Sequence, residues 1–481
     1  MAKEKKEELR EISFSEELAD RPGGRGRGGP NFLFIMADQW RFDYLGSLGA
    51  DFVETPNIDR LAREGVTFEN CFTTSPVCAP ARISLASGFL PHRLGALNNS
   101  AYLPKGVETY YERLRDHGYR MGCVGKLDLA KPDPYNGRHG RRPVVYEWGF
   151  TEPEEVEGKM HAGMHDSPQG PYGFYLKEKG LYEDFRKDYK KRAEAGWNLG
   201  ASHDSVLPEE DFADIYIGRR ASEWLKEVPR DFPWHYFVSF VGPHNPFDPP
   251  TRYGNLYRNA DMPFPIQDEL GGKPAWQKDR QVEGEKEEVI HCRRQYCGSI
   301  TAIDEEIGKM LDVLEERNML EDTYFIFTSD HGEMLGDHGF FTKTFPYEAS
   351  MHVPLIMAGP GIKKGETSAA LIELHDLNPT ICQLAGIRPK ENIDARSFVP
   401  CLENPEKEGR EAAVSVIKNW RSIRTDRYKY VDNLNDLPEL YDLRADPDEL
   451  DNLAPDNDRP KILEKLQSKL SSRLVEGKWL R

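Results

Sequence analysis

The feature that most constrains this chain is a series of short, almost wholly apolar segments spaced along it. They are NFLFIMA (31–37), YRMGCVG (119–125), WHYFVSFVG (234–242), TYFIFTS (323–329) and VPLIMAG (353–359). Each is bounded by turn-forming or polar residues and reads as a buried strand. Helix patterns lie between and around them: TPNIDRLAREG (55–65), ARISLASG (81–88), VETYYERLRDHG (107–118), FADIYIGRRASEWLKEV (212–228), a long stretch over roughly 284–319, and IELHDLNPTICQLAG (372–386). Strands joined through helical crossovers make a mostly parallel sheet with both faces covered. The expected fold class is therefore α/β, a large mostly parallel sheet sandwiched by helices.

The texture changes after about residue 405. AVSVIKNWRSIRTDRYKYV, then ELYDL, then a charged helix at 458–475 predict a small C-terminal α+β subdomain over 405–481. Residues 1–30 read as a charged arm followed by a Gly-rich linker. That leaves 31–404 as the main domain. Its stretches at about 150–210 and 243–285 are polar and weakly periodic, and are expected as insertions that form lids or substrate walls.

Charge excludes some functions. Lys+Arg 64 against Asp+Glu 81 leaves a net charge of −17. A nucleic-acid binder needs a basic face, so nucleic acid is not an expected partner. A local basic pocket for an anion remains compatible. No run approaches the roughly 18 apolar residues of a membrane span, so no membrane partner is expected. The start, MAKEKKEELREISFSEEL, lacks an apolar core of the kind a secretory signal has. Seven sparse cysteines suggest reduced thiols. Together these predict a cytoplasmic protein.

Open α/β sheets bind ligands beyond the carboxyl ends of their strands. The polar residues following the predicted strands are Asp38 and Gln39, Lys126 and Asp128, His244, and Asp330 and His331. Four strands thus deliver chargeable groups to one rim. Asp38, Gln39 and Asp330 offer hard oxygen donors beside His331, a set that suits Ca²⁺, Mg²⁺ or Mn²⁺ more than zinc. There is no HExxH, no paired CxxC, no P-loop and no GxSxG. In SPVCAPARISLASG (75–88), Cys78 stands just before a predicted helix, with Arg82 four residues on. A helix N-terminus and an arginine fork both favour an oxyanion. By residue type alone, Cys78 is either a buried capping cysteine or a low-pKa thiolate.

Cys78-Ala79-Pro80-Ala81-Arg82 matches the C-x-P-x-R signature of the type I sulfatases, in the alkaline phosphatase superfamily. TPNIDRLAREGVTFENCFTTSPVCAPARISLASG, FIFTSDHGEMLGDHG, the following Lys343, and RSIRTDRYKYV with LYDLRADPDELDNLA also resemble that family, over roughly 31–455. The resemblance implies an alkaline phosphatase-like fold. It also implies that a maturation enzyme oxidises Cys78 to formylglycine, whose hydrate attacks sulfur, expels the alcohol and then releases sulfate as the aldehyde re-forms. Asp38, Gln39, Asp330 and His331 resemble the metal set, with Cys78 as the substrate-side ligand. One divalent ion is implied, Ca²⁺ first, with Mg²⁺ or Mn²⁺ as alternatives. A neutral Gln39 would leave that site one charge more positive.

Arg82 resembles the residue that orients the diol. Lys126 and Lys343 resemble the two sulfate-binding lysines, and His244 the histidine that contacts sulfate or leaving group. Asn99, or its neighbour Asn98, resembles a small polar contact. Asp128 departs from the family, which has His at that place, and is open to three readings: a base, a partner of Lys126, or a residue turned away. Asp337 and His338 are expected to support the loop of His331. His352, His375, Cys292 and Cys297 read as structural.

The implied activity is hydrolysis of an organic sulfate ester, with a carbohydrate ester expected from the polar insertions. The D-Q-W and S-D-H-G contexts also resemble phosphonate monoester hydrolases and choline-sulfatase relatives, which makes a phosphonate monoester hydrolase or phosphodiesterase the alternative. Lys126 favours sulfate. A binding protein that lost activity is a third reading, and the oligomeric state is left open.

Overall fold

The computed structural model describes residues 28–133, 135, 137–282, 284–455 and 459–475. The predicted arm and most of the linker lie outside the described residues. Eight strands form the main sheet: β1 (Asn31–Asp38), β2 (Gly65–Phe72), β3 (Arg120–Gly125), β4 (Glu152–Glu155), β5 (Trp234–Pro243), β6 (Thr323–Ser329), β7 (Leu355–Ala358) and β8 (Glu366–Glu373). Their order is β4-β3-β5-β1-β6-β7-β2-β8. β7 runs antiparallel to both its neighbours, and every other pairing is parallel.

The side-chain period of a strand explains why both faces must be covered. Along β1, Leu33, Ile35 and Ala37 enter one core, with Val238, Phe240 and residues of the helices Ala213–Glu227 and Lys286–Glu316. Phe32, Phe34 and Met36 enter the other, with Ile83 and Leu85 of the helix Cys78–Ser87 and Leu377 and Ile381 of Leu377–Leu384. Every residue of β1 is buried. A fully buried parallel strand carries no polar face, which is why its sequence is uninterruptedly apolar.

All five strands expected from sequence are present. β2, β4 and β8 had no such signal: GVTFENCF and ETSAALIE mix polar with apolar residues, and EPEE at the sheet edge is acidic. The segment 372–386, read as one helix, opens as the end of β8, passes through a 3-10 turn at Leu374–Asp376 and becomes α-helical from Leu377. The stretch 150–210 contains β4 and the helices Lys159–Met164, Pro171–Glu178 and Tyr182–Glu194.

A second, antiparallel sheet has the order β12-β11-β10-β9, from β9 (Ala413–Val416), β10 (Arg421–Arg424), β11 (Tyr428–Asp432) and β12 (Glu439–Asp442). The helix Pro460–Val475 covers it through Leu466 and Leu470. This sheet is tied to the main one. The Val416 amide donates to the Thr74 carbonyl at 2.9 Å, and the Ser415 hydroxyl donates to the Thr73 carbonyl. Among the described residues, no helix is long and apolar enough to cross a membrane.

Asp214, buried in the helix Ala213–Glu227, accepts from the Val241 and Gly242 amides at 2.9 Å each and so fixes the end of β5. Burial pushes its carboxyl up to about 6, against the opposing pull of Lys159. A carboxyl raised above its unfolded value near 3.9 favours the fold when protonated. Its contribution is full below about pH 4 and is lost as pH rises through about 6. Asp214→Asn should therefore gain stability relative to wild type between pH 4 and pH 7, by on the order of 3 kcal/mol, read from denaturant midpoints across that range. Parallel pH profiles for the two proteins would contradict this.

Candidate active site

The carboxyl rim of the main sheet assembles the site. β1 ends in Asp38, where its register with β5 shifts so that Asp38 stands opposite Pro243. β6 ends at Ser329, and Asp330 and His331 follow. β3 ends at Gly125, which has φ +103°. A Cβ at Gly125 would lie 1.9 Å from the Ser239 carbonyl oxygen, so only glycine lets the strand end close in. The Lys126 amide then donates to that same carbonyl at 3.1 Å.

Cys78 is the first residue of the buried helix Cys78–Ser87. Four-residue spacing sets Arg82 one turn along the same face. The Ala79 amide, a free donor of the first turn, is accepted by Asn99 Oδ1 at 3.1 Å. Asn98 Oδ1 instead accepts from the Ser100 amide, so Asn99 is the asparagine that reaches the site.

Asp38, Cys78, Asp330 and His331 each offer a ligand atom within 4.8 Å of the others, and all four are buried. Cys78 Sγ lies 3.2 Å from His331 Nε2 and 3.8 Å from Asp38 Oδ1. His331 Nδ1 donates to the Gly332 carbonyl at 2.9 Å, which leaves the Nε2 lone pair for the centre. Two carboxylates, one imidazole and one further ligand, brought together in a buried space among cationic side chains, make a donor set that fits a divalent cation. A second group, Glu373, His375 and Asp376, also clusters. Arg473 and Arg410 already bond its carboxylates, so that group is a structural ion network.

Arg82 braces this centre from below. Its Nε donates to Asp330 Oδ2 at 2.8 Å, and its Nη1 to the Lys126 carbonyl at 2.6 Å and to Ser239 Oγ at 2.8 Å. Its Nη2 lies 3.6 Å from Asp38 Oδ2 and makes no hydrogen bond. Lys126 Nζ donates to Asp38. Asp128, in the left-handed region with φ 55°, pairs with Lys126 at 3.2 Å and Lys131 at 2.6 Å. Of its three readings, the geometry shows the ion-paired one.

Lys343 Nζ donates to Gln39 Oε1 at 2.6 Å and to His244 Nε2. His244 can accept there because its Nδ1–H donates to the Asn245 carbonyl at 2.6 Å. Gln39 thus faces Lys343 with its oxygen, while its Nε2 donates to Glu333. Sequence reasoning missed Glu333, Ser239 and Asn245. Glu333 in S-D-H-G-E was the one with a visible signal.

The charges act on one another. Burial would raise the Cys78 thiol, but Lys126, Lys131 and Lys343 hold it well below its usual range. Burial likewise opposes ionisation of Asp38, and the attraction of Lys126, His244 and Lys343 outweighs it, after repulsion from a Cys78 thiolate. Burial, with Lys343 adjacent, pushes His244 down to about 4. His244 is therefore neutral at pH 7.

Backbone strain collects here. Gln39, Asp128, Trp197, Thr342 and Thr344 all have positive φ, a conformation that costs non-glycine residues on the order of 1–3 kcal/mol each. The Thr342–Thr344 loop that carries Lys343 is held by Glu333 at the Thr342 amide, by the Pro76 carbonyl at the Thr344 amide, and by Trp420 Nε1, which donates to the Thr344 carbonyl at 3.0 Å. Trp420 belongs to the C-terminal sheet region, between β9 and β10. A cavity of about 510 Å³ opens over Lys126, His244 and Lys343, walled by the helix Lys159–Met164 and by Trp197 and Asn198. Residues of the 150–210 segment thus line this cavity.

Asp337 and His338 sit elsewhere. Asp337 pairs with Arg41 at 2.7 Å and Arg293 at 2.6 Å, and His338 with Asp268 at 2.7 Å. They brace the loop after His331 without touching the centre. Cys292 and Cys297 are buried thiols of the long helix.

Comparison with known proteins bears on this geometry. The sulfatase family model matches residues 30–387, and that of the N-sulphoglucosamine sulphohydrolase C-terminal region matches 336–476. The chain is 31% identical to a choline-sulfatase of Rhizobium meliloti, over 89% of this chain and 83% of that one. It is 27% identical to an N-acetylglucosamine-6-O-sulfatase of Bacteroides thetaiotaomicron, over 88% and 82%. The crystal structure of a phosphonate monoester hydrolase of Agrobacterium radiobacter superposes with a TM-score of 0.78 at 27% identity, covering 93% of this chain and 96% of that one.

Ion binding should be visible in stability. Chelator-treated protein given back a divalent cation at about 100 times its dissociation constant should gain about 2.7 kcal/mol. Asp330→Asn should lose most of that gain, measured as the shift in unfolding midpoint with and without ion. An equal shift in the variant would place the ion elsewhere.

Proposed function

The chain belongs to the sulfatase family, and on that footing we propose that it hydrolyses an organic sulfate ester, a carbohydrate sulfate, with formylglycine at position 78 and one divalent ion, Ca²⁺. The observation that carries this reading is the convergence of Cys78 with Asp38, Asp330 and His331 in one buried group, faced by a lysine, Lys343, whose partners are all neutral. Family members generally use a metal ion and formylglycine. Asp38, Asp330 and His331, with residue 78, would hold the ion, and Gln39 lies beside them as a neutral member.

When bound, the ion would lower the pKa of an oxygen at residue 78 and neutralise charge on the ester. The hydrated aldehyde would supply an oxygen nucleophile and a second hydroxyl whose deprotonation releases sulfate. The other residues take roles that follow from their contacts. Arg82, locked onto Asp330, Ser239 and the Lys126 carbonyl, fixes the ligand geometry, and its unpartnered Nη2 is left to bond the diol. Lys126 and Lys343, which line one cavity, hold sulfate oxygens. Asp128 keeps Lys126 and Lys131 charged and placed. Neutral His244 already has Nδ1 committed to the Asn245 carbonyl. Once an anionic ester draws Lys343 away, its Nε2 can receive the proton that the attacking diol gives up and pass it on to the departing alcohol.

Walls rich in side-chain amides, with Trp197 beside them, support a sugar as the alcohol. The similarity to a phosphonate monoester hydrolase supports a second reading, since a phosphonate monoester is also a tetrahedral monoanion. Comparing kcat/KM for aryl sulfate and aryl phosphonate monoester separates the two. Protein produced with maturation machinery should show, in its peptide masses, an aldehyde in place of the Cys78 thiol. Cys78→Ala should lower sulfate release by at least about 10³-fold. Full turnover by that variant would end this reading.

A further inference from the structure

Five basic side chains line the cavity over the site: Lys126, Lys131, Lys159, Arg280 and Lys343. Three are neutralised by carboxylates. Lys126 pairs with Asp38 and Asp128, Lys131 with Asp128 at 2.6 Å, and Lys159 with Asp248 at 2.6 Å. Lys343 has only neutral partners, which suits the sulfate proposed above. Arg280 is the surplus. Among the described residues it meets no carboxylate. Its Nη1 donates to Thr344 Oγ1 at 2.6 Å, and its guanidinium lies over the Phe345 ring, 4.2 Å from the centroid. Stacking on an aromatic face fixes the guanidinium plane while leaving its other N–H groups free. Its Nε and Nη2 make no hydrogen bond among the described residues, and the residue is exposed at the cavity edge.

Arg280 bonds Thr344, the residue after Lys343, and the two uncompensated cations line the same cavity. Trp197, Met160 and Met164 line the same cavity with apolar surface. A single sulfate monoester accounts for Lys343 and leaves Arg280 without a counter-charge. We propose that the substrate carries a second anionic group on the sugar, a carboxylate or a further sulfate, and that Arg280 receives it through its free guanidinium edge. Arginine suits both groups because its fork matches two oxygens at once. This rests on the sulfate-ester reading and adds a specificity-determining residue to it. The bond to Thr344 uses one of five donors, so bracing that loop does not account for the rest of the guanidinium.

The test compares matured wild type with Arg280→Met and Arg280→Lys on four substrates: an aryl sulfate with no other charge, a neutral sugar monosulfate, a sulfated uronate and a disulfated sugar. Arg280→Met should raise KM and lower kcat/KM by about 10- to 100-fold on at least one of the two doubly anionic sugars. On the aryl sulfate and the neutral sugar it should change kcat/KM by no more than about threefold. Arg280→Lys should recover part of the loss. Which doubly anionic sugar suffers tells carboxylate from sulfate. An equal loss on all four substrates would make Arg280 a brace for Thr344 and overturn the proposal, as would no loss on any. Wild type that releases sulfate from none of them would overturn the sulfate-ester reading, and this one with it. Loss confined to kcat on the aryl sulfate would overturn this one alone.

Discussion

One buried guanidinium holds the chemistry together. Arg82 links Asp330 after β6, the Lys126 carbonyl after β3 and Ser239 within β5, and it lies near Asp38 at the end of β1. Two strands and the loops after two others are tied together by the cation that sits among them. A buried charge is costly unless paired and hydrogen-bonded. Here the cost is met by a network whose members are all buried: Arg82, Asp38, Asp330, Lys126 and Asp128. Removing one partner would strand the others, so the network acts as a unit.

That network explains the character of Asp128. An acid at this place gives Lys126 a partner, and it draws in Lys131 as well. The centre thus keeps a high density of cations around Cys78 without leaving them unbalanced. The same balance isolates Lys343 and Arg280, the cavity-lining cations whose partners are neutral. Charge left unsatisfied by the fold is charge available to a ligand.

Support for the site comes from far along the chain. Thr342 and Thr344 are β-branched residues in a left-handed conformation, which persists only where surroundings enforce it. Trp420 holds one side of that loop. Ser415 and Val416 hold Thr73 and Thr74, just before the helix of Cys78. The C-terminal sheet is therefore part of the scaffold of the site. Phe72, Val77, Ile417 and Trp420 pack together in an apolar cluster that joins it to the main domain.

Much of this was legible in the chain alone. The five apolar runs specified strands, because a strand covered on both faces must be apolar throughout, and the residues following four of them named most of the rim. C-x-P-x-R placed Cys78 and Arg82 on one helical face. What the sequence could not show depended on neighbours distant in the chain. β2, β4 and β8 are strands because of their partners, and their own residues do not announce it. Asn99 rather than Asn98 reaches the helix of Cys78, Asp128 turns to its lysines, and Glu333 grips Gln39, because backbone conformation and packing aim each side chain. Local residue pattern determines which segments become strands and what chemistry stands at their ends. Which of those groups meet, and which cations are left without a counter-charge, is decided by tertiary structure, since electrostatic pairing depends on distance in space and not on distance along the chain.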